Sequence, residues 1–221
     1  MIFVLSMAVV DGLTLFLENS VKQLRLAVTH KTSIVNPLPE GHRRKIEALD
    51  PTKKRLIAVC GMRYIGGQRK DEPMPLSTLA VDVDTFEACF PENAFTKTEL
   101  EAWYRDRQAI MIGRGTAGDM GWKTGDRINI FPSVPPYTDI EFHIVSTLPH
   151  AEDFVTNWCR RDYIDEEIRK QFGEEIKEDN RSEGLVTFFF VKCATRKDLD
   201  YFRQEIDKLF AGSMDETKTQ D

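Results

Sequence analysis

The chain has 221 residues, of which 41% are apolar, so it can bury a sizeable core in one large domain or in one domain of two lobes. Thirty basic and 36 acidic residues leave a net charge of -6, and basic residues cluster only in short groups, which argues against a nucleic-acid partner. The cysteines are scattered without a C-x-x-C motif, which argues against a zinc site and permits, without requiring, two disulfides; they are Cys60, Cys89, Cys159 and Cys193.

The chain opens on an apolar segment between Ile2 and Leu17, interrupted by Asp11 and Gly12. A bilayer-spanning helix needs about 20 such residues. A secretory signal needs a basic residue before the apolar run, and none is present. We therefore expect residues 1–20 to be the C-terminal part of a transmembrane helix. Because Asp11 is costly inside a membrane, a core helix or strand of a soluble protein stays open as the alternative.

Strand-like and helix-like segments alternate along the rest of the chain. Alternation and enrichment in β-branched and aromatic residues predict strands at residues 24–30, 55–61, 79–83, 108–113, 127–131, 140–147 and 185–193. Helices are predicted at residues 40–49, from Thr96 with Glu99 completing a capping box, and from Thr195 to Gly212. The last helix has a stripe of apolar residues at helical spacing: Leu199, Phe202, Ile206, Leu209 and Phe210.

A charge-dense run occupies residues 160–183, where 15 of 24 residues are ionisable. The i, i+4 pairs Asp165 with Arg169 and Glu166 with Lys170 favour a solvated helix. An acidic docking surface for a partner is the alternative interpretation.

The glycines Gly113, Gly115 and Gly118 spell the G-x-G-x-x-G pattern of dinucleotide-binding turns. That motif requires a long helix after the glycines and an acidic residue about 20 positions further on. Here Gly121 and the pair Gly125-Asp126 limit any helix to a turn or two, and prolines occupy the region where the acidic residue belongs. The pattern therefore predicts no bound nucleotide.

Other candidates for chemistry are equally weak. Asp82 and Asp84 spell D-x-D, which holds a metal-bound nucleotide diphosphate in some sugar transferases, but a strand end with Asp84 capping the next helix is the simpler interpretation. The four histidines are isolated, and His143 lies in an alternating strand where we expect a surface residue. No catalytic, cofactor-binding or metal-binding residue is predicted.

Several short motifs occur in one order along most of the chain. The strongest is Gly121-Trp122-Lys123-Thr124-Gly125-Asp126-Arg127-Ile128. The others are His30-Lys31-Thr32-Ser33 with Pro37-Leu38-Pro39, Tyr64-Ile65-Gly66-Gly67, Leu79-Ala80-Val81-Asp82, Pro91-Glu92, Asp106-Arg107 before Ile112-Gly113-Arg114, Asp162-Tyr163-Ile164-Asp165-Glu166, and Ile206 to Ser213 with Glu216 to Thr219. In these motifs the chain resembles the extracytoplasmic core domain of FtsX-like, MacB-like ABC-transporter permeases, in a subgroup with a Trp-Phe-Gly-Gly signature.

The resemblance implies an α+β fold: a two-lobed, mixed-sheet periplasmic core domain of the MacB type over residues 21–219, preceded by the end of a transmembrane helix. It implies a structural role for the signature residues, which are Gly66, Gly67, Asp82, Asp106, Arg107, Gly113, Gly121, Trp122, Gly125, Asp126 and Phe210. In such permeases one membrane helix precedes the domain and three follow it, whereas this chain ends at Asp221.

The same resemblance implies a function without covalent chemistry and without a cofactor. The domain would stand on the periplasmic side of the inner membrane and couple ATP-driven motion to export of a substrate or to a partner protein. Its expected partners are a cytoplasmic ABC ATPase subunit, other permease helices or a second permease copy, an extracytoplasmic adaptor, and the membrane. The competing hypothesis is a soluble α/β nucleotide-dependent enzyme that uses the loop from Gly113 to Gly118 or the pair Asp82 and Asp84.

Overall fold

The computed structural model describes residues 23–69, 74–149, 151, 155–173 and 184–220. The predicted transmembrane segment lies outside these residues, as does the second half of the charge-dense run. Within the described part of the chain, no helix is long and apolar enough to cross a membrane. The chain divides into two compact units, which we call unit 1 (residues up to 61 and from 186 onward) and unit 2 (Met62–Leu185).

Among its described residues, unit 1 contains two helices and strands in the order β11-β1-β10-β3. Its elements are β1 (Arg25–His30), β2 (Leu38–Pro39), α1 (Gly41–Glu47), the first part of β3 (Leu56–Tyr64), the end of β9 (Leu185–Val186), β10 (Phe188–Cys193), α6 (Arg196–Phe210) and β11 (Thr217–Gln220). β1 is antiparallel to both neighbours, with Val28 opposite Phe189 of β10 and opposite Thr219 of β11. β11, β1 and β10 therefore form an antiparallel sheet, with α6 packed on β1 and β10.

The core of unit 1 forms where α6 meets the sheet. Four of the five residues in the predicted stripe, Leu199, Phe202, Ile206 and Phe210, are buried, whereas Leu209 is 41% exposed. They pack against apolar residues of β1, β3 and β10, among them Leu26, Val28, Val59, Phe189 and Val191. The helix begins as predicted, because the Thr195 hydroxyl accepts the N-H of Asp198 at 3.2 Å.

Unit 2 contains strands in the order β3-β4-β8-β5-β7-β6. Its other elements are β4 (Thr78–Val81), α2 (Phe86–Cys89), a 3-10 turn (Pro91–Asn93), α3 (Lys97–Arg105), β5 (Ala109–Met111), α4 (Arg114–Met120), β6 (Arg127–Ile130), β7 (Ile140–Ser146), β8 (Asn157–Arg160) and α5 (Arg161–Phe172). β4 with β8 and β5 with β7 are parallel, whereas β3 with β4, β5 with β8 and β6 with β7 are antiparallel. The sheet is mixed, and the chain has the predicted α+β class.

Apolar side chains fill both faces of the unit 2 sheet. One face carries Ala80, Ile110, Phe142 and Cys159, and it packs against α4 and α5 through residues such as Ala117 and Ile164. Another group of buried rings includes Phe86, Phe90, Trp103 and Trp158, whose neighbouring centroids lie 5.0 to 5.7 Å apart. Edge and tilted ring packing of this kind stabilises a core beyond its buried area.

The structure corrects some details of the sequence interpretation and confirms another. Residues 185–193 form two strands rather than one, and β2, β8 and β11 were missed. Thr85 rather than Asp84 occupies the N-cap of α2, and no side chain caps that helix. The capping box of α3 is confirmed, because Thr96 and Glu99 make both reciprocal hydrogen bonds. All four cysteines are buried and free.

The described part of the charge-dense run forms a helix that is not fully solvated. α5 ends at Phe172, and it buries Arg161, Tyr163, Ile164 and Ile168. Tyr163, Ile164 and Ile168 belong to the apolar core of unit 2, so one face of the helix packs on the unit 2 sheet.

Candidate functional site

The signature residues Asp106 and Arg107 lie where α3 ends and the chain turns into β5. The Asp106 carboxylate accepts the backbone N-H of Gln108 at 2.9 Å and also contacts Nδ1 of His143 at 2.6 Å. His143 lies on the less buried face of β7, as the alternation predicts, but its contact with Asp106 leaves it only partly exposed. Asp106 fixes the direction of the chain by joining α3, β5 and β7.

Arg107 points toward α5. Its Nη1 lies 2.7 Å from Oε2 of Glu166, and its Nε lies 3.5 Å from Oδ2 of Asp162. Both acidic residues belong to the run in which we expected solvated pairs, and the predicted pair of Glu166 with Lys170 also forms, at 2.9 Å. Because Arg107 is half-exposed, its ion pairs with Asp162 and Glu166 orient these side chains more than they stabilise the fold.

Arg160 is a structural residue that the sequence interpretation missed. Its guanidinium donates to the backbone carbonyls of Trp103, Tyr104 and Asp106 at 2.9, 3.1 and 3.2 Å. It also contacts the carboxylate of Asp162 at 2.9 Å. Orphan carbonyls at a helix C-terminus need such donors. Only the tertiary fold brings β8 to the end of α3, so no local pattern pointed to this residue.

Glycines lie at both ends of the short helix α4: Gly113 of the G-x-G-x-x-G pattern before it and Gly121, outside the pattern, after it. Gly113 precedes the helix, and its N-H donates to Oδ1 of the buried Asn157 at 3.1 Å. Gly121 closes the helix in the left-handed region with φ 67°, and the N-H of Trp122 returns to the carbonyl of Ala117 at 2.9 Å. The helix has seven residues, as limited by the glycines, and the Gly113 donor is satisfied inside the protein.

The residues after α4 build a tight turn into β6. Gly125 has φ 98°, and its N-H donates to the carbonyl of Ile144 at 2.8 Å. The Asp126 carboxylate accepts the N-H of Lys123 at 2.8 Å, and Trp122 packs into the unit 2 core with 9% exposure. Because of these contacts, the pairs Gly121-Trp122 and Gly125-Asp126 of the strongest motif belong to one turn.

Asp82 belongs to a buried cluster of charges in unit 2. Its carboxylate contacts Nε of Arg161 at 2.6 Å, and Arg161 also contacts Asp165 at 2.9 Å. Asp165 in turn lies 3.7 Å from Arg63, and all four side chains are at most 14% exposed. Two guanidinium groups thus face two carboxylates, an arrangement that neutralises charge where water is excluded. The cluster ties β3, β4 and α5 together.

The remaining signature residues are also in structural positions. Gly67 has φ 126°, and a Cβ there would lie 2.4 Å from Cγ2 of Ile130. Gly66 has φ 55°, and a Cβ there would lie 2.7 Å from the Tyr64 hydroxyl. In unit 1 the buried Phe210 ring stacks on His42 with centroids 4.0 Å apart. At Gly66 and Gly67, in the loop after β3, residues other than glycine do not fit.

No feature of the described chain selects a reaction. Among the described residues, no group of three histidine, cysteine or acidic side chains can hold a metal ion. Burial raises the pKa of the Cys159 thiol, which keeps it protonated and unreactive. A cleft of about 480 Å³ in unit 2 has charges of both signs, and its lining residues are Arg69, Trp122, Asp126, Arg127, Ile128, Asn129 and Asp139.

The entry and exit of the described chain lie side by side in unit 1. β1 starts at Arg25 and β11 ends at Gln220, and the antiparallel register places Gln220 opposite Ala27. Paired Cα atoms in such a ladder are about 5 Å apart. The chain therefore enters and leaves the sheet of unit 1 at the same end.

The sequence matches no protein-family profile and no curated protein. Several solved structures are similar in fold, among them the following two. The extracellular domain of the noncanonic ABC-type transporter YknZ from Gram-positive bacteria aligns over 89% of this chain and 100% of its own, with a TM-score of 0.56 and 8% identity. The periplasmic region of MacB from Actinobacillus actinomycetemcomitans aligns over 90% of this chain and 88% of its own, with a TM-score of 0.53 and 5% identity.

One similar structure is an extracellular domain and the other a periplasmic region, and the similarity extends over nearly the whole chain. The chain has the fold of the extracytoplasmic core domain of FtsX-like, MacB-like ABC-transporter permeases.

Proposed function

We propose that this chain is the extracytoplasmic part of an ABC-transporter permease, with residues 1–20 as the end of a membrane helix and residues 21–219 as the core domain. The domain passes motion driven by a cytoplasmic ATPase to an exported substrate or to an extracytoplasmic partner. It makes and breaks no covalent bonds itself. The membrane concerned is the inner membrane, and the domain lies on its outer side.

The proposal rests on where the described chain enters and leaves the sheet of unit 1. A domain that stands between two consecutive membrane helices must receive and return its chain at one end. The register of Ala27 with Gln220 provides this geometry, since β1 and β11 are neighbours and run antiparallel. Both ends are also fixed to the unit 1 body: the N-H of Cys193 donates to the carbonyl of Leu24 at 2.9 Å, and β11 pairs along its length with β1.

The positions of the signature residues support a role without chemistry. Asp82, Asp106 and Arg107 join separate elements through ion pairs, and the glycines shape turns. Each of these groups holds the fold together, so a force on one element reaches its neighbours through packed side chains and paired charges. These residues, all but Phe210 in unit 2, are spread over several helices, strands and turns, which suits transmission of motion better than it suits an active site.

The cysteines allow a direct test of location. All four native cysteines are buried, whereas Met214 is 97% exposed. We expect the full chain carrying Met214→Cys to sediment with bacterial membranes. Its thiol should react with a membrane-impermeant maleimide in intact spheroplasts, and the unsubstituted chain should remain unlabelled. A soluble protein labelled only after lysis would contradict the proposal.

A second experiment separates the proposal from the enzyme hypothesis. We do not expect an extracytoplasmic transporter domain to bind nucleotides. The melting temperature of the purified chain should therefore not change with NAD, ATP or Mn²⁺. We also expect no ATP hydrolysis by the chain alone. A shift with NAD at micromolar concentration, or a measurable ATPase rate, would favour the soluble enzyme.

The partner can be tested genetically and biochemically. We expect a neighbouring gene to encode an ATPase with a Walker-type phosphate loop. Co-expression should then give a detergent-stable complex that contains both proteins. Persistent separation of the two proteins in mild detergents would contradict the proposed coupling.

A further inference from the structure

β11, the strand that leaves unit 1, is held in the sheet by fewer neighbouring strands than β1. β1 lies between two strands, with β10 on one side and β11 on the other. Among the described strands, β11 lies at the edge of the sheet; it has four residues and pairs with β1. Because β1 begins and β11 ends at the same end of the sheet, a pull on the chain toward that end loads both strands together. The ladder between them then does little to hold β11 against the body of the unit.

Helix α6 supplies β11 with a second attachment through Asp207. The Asp207 carboxylate accepts the hydroxyl of Thr217 at 3.0 Å, the hydroxyl of Thr219 at 2.7 Å and the backbone N-H of Thr219 at 3.2 Å. Both threonines are at most 7% exposed. Hydrogen bonds to an ionised carboxylate are stronger than those between neutral groups, and shielding from water strengthens them further.

These contacts use the side of β11 that β1 does not use. In an antiparallel pair the backbone N-H groups alternate in direction. The N-H of Thr219 points to Asp207, so those of Lys218 and Gln220 point to β1. On the side of β11 that faces away from β1, Asp207 thus accepts the backbone N-H that a neighbouring strand would accept. Further back along the chain, the N-H of Gly212 donates to the carboxylate of Glu216 at 2.7 Å, which shapes the turn from α6 into the strand.

We propose that Asp207 is the positioning residue that couples the outgoing strand β11 to helix α6, so that a pull on the chain after Gln220 is passed to the body of unit 1. This inference rests on the proposed function, in which that chain continues into a membrane helix. The apolar stripe of α6 is buried against β1, β3 and β10, so a force that reaches the helix also reaches the core.

Hydrogen exchange tests the attachment without a membrane. In the full chain carrying Asp207→Ala we expect the amides of Lys218 and Gln220 to exchange at least about tenfold faster, because one charged anchor is lost. The amide of Val191 in β10 should keep its rate. The matched control is Asp200→Ala, which removes an exposed acidic residue of the same helix and should change neither strand. Equal acceleration of all three amides, or none, would overturn the proposal.

Mechanical pulling tests the coupling itself. The full chain is held by its C-terminus and by a thiol introduced with Lys197→Cys at an exposed position near the start of α6, since the native thiols are buried. We expect the first release, that of β11, at a lower force in Asp207→Ala than in Asp200→Ala. An unchanged first release would refute the coupling. That result is distinct from a failure of membrane placement, which the Met214→Cys labelling reports independently.

Discussion

The buried cluster around Asp82 gives the sharpest prediction about stability. The Asp82 and Arg161 side chains are 3% and 7% exposed, and their contact is 2.6 Å. Loss of one partner from such a pair leaves a buried charge and typically costs about 3–5 kcal/mol. The structure predicts unequal costs for the two partners, because Arg161 serves two carboxylates.

In Asp82→Ala, Arg161 keeps its contact with Asp165 at 2.9 Å, so we expect a cost near the lower bound, about 3 kcal/mol. In Arg161→Met, both Asp82 and Asp165 lose a guanidinium, and the contact of Asp165 to Arg63 is 3.7 Å. We therefore expect about 5 kcal/mol for this variant. With a urea slope of about 2 kcal/mol per molar, the unfolding midpoints fall by about 1.5 and 2.5 M.

Tryptophan fluorescence is the suitable assay, because Trp103, Trp122 and Trp158 all belong to unit 2. The matched control is Glu101→Gln, which breaks an ion pair with Lys97 whose side chains are 56% and 90% exposed, and it should shift the midpoint little. If Arg161→Met cost less than Asp82→Ala, or no more than the control, the cluster would not stabilise unit 2 as described.

Two further predictions concern single positions. Gly67→Ala should destabilise unit 2 by about 2–4 kcal/mol, because it combines left-handed backbone strain with a clash on Ile130, whereas Gly125→Ala faces open space and should cost only the strain, about 1–2 kcal/mol. Urea titrations by tryptophan fluorescence compare the two, and equal costs would contradict the close approach. Burial lowers the pKa of His42, so the unfolded chain binds a proton more readily than the folded one. Unit 1 should lose stability as the pH falls below about 6.5, the ordinary histidine pKa, measured by amide exchange in β1; His42→Gln should flatten this dependence, and an unchanged slope would refute it.

The sequence predicted the elements whose stability is local. The Thr96 and Glu99 capping box, the Thr195 cap and the stripe from Leu199 to Phe210 are confirmed, because each depends on contacts within one helix or on one repeating spacing. The glycines correctly limited α4 to a short helix. The ordered motifs predicted the fold, which the similar transporter domains confirm.

The tertiary structure decided what depends on partners distant in the sequence. β8 is short and buried on every side, and it is a strand because it lies between β4 and β5. β11 is mostly polar, and its pairing with β1 and its contacts with Asp207 make it a strand. A composition rich in charge predicted a solvated helix, yet Arg161 is buried because Asp82, 79 residues away in the sequence, supplies the opposite charge. Spacing along the chain determines a helix face, but the energy of a buried charge depends on what the fold brings beside it.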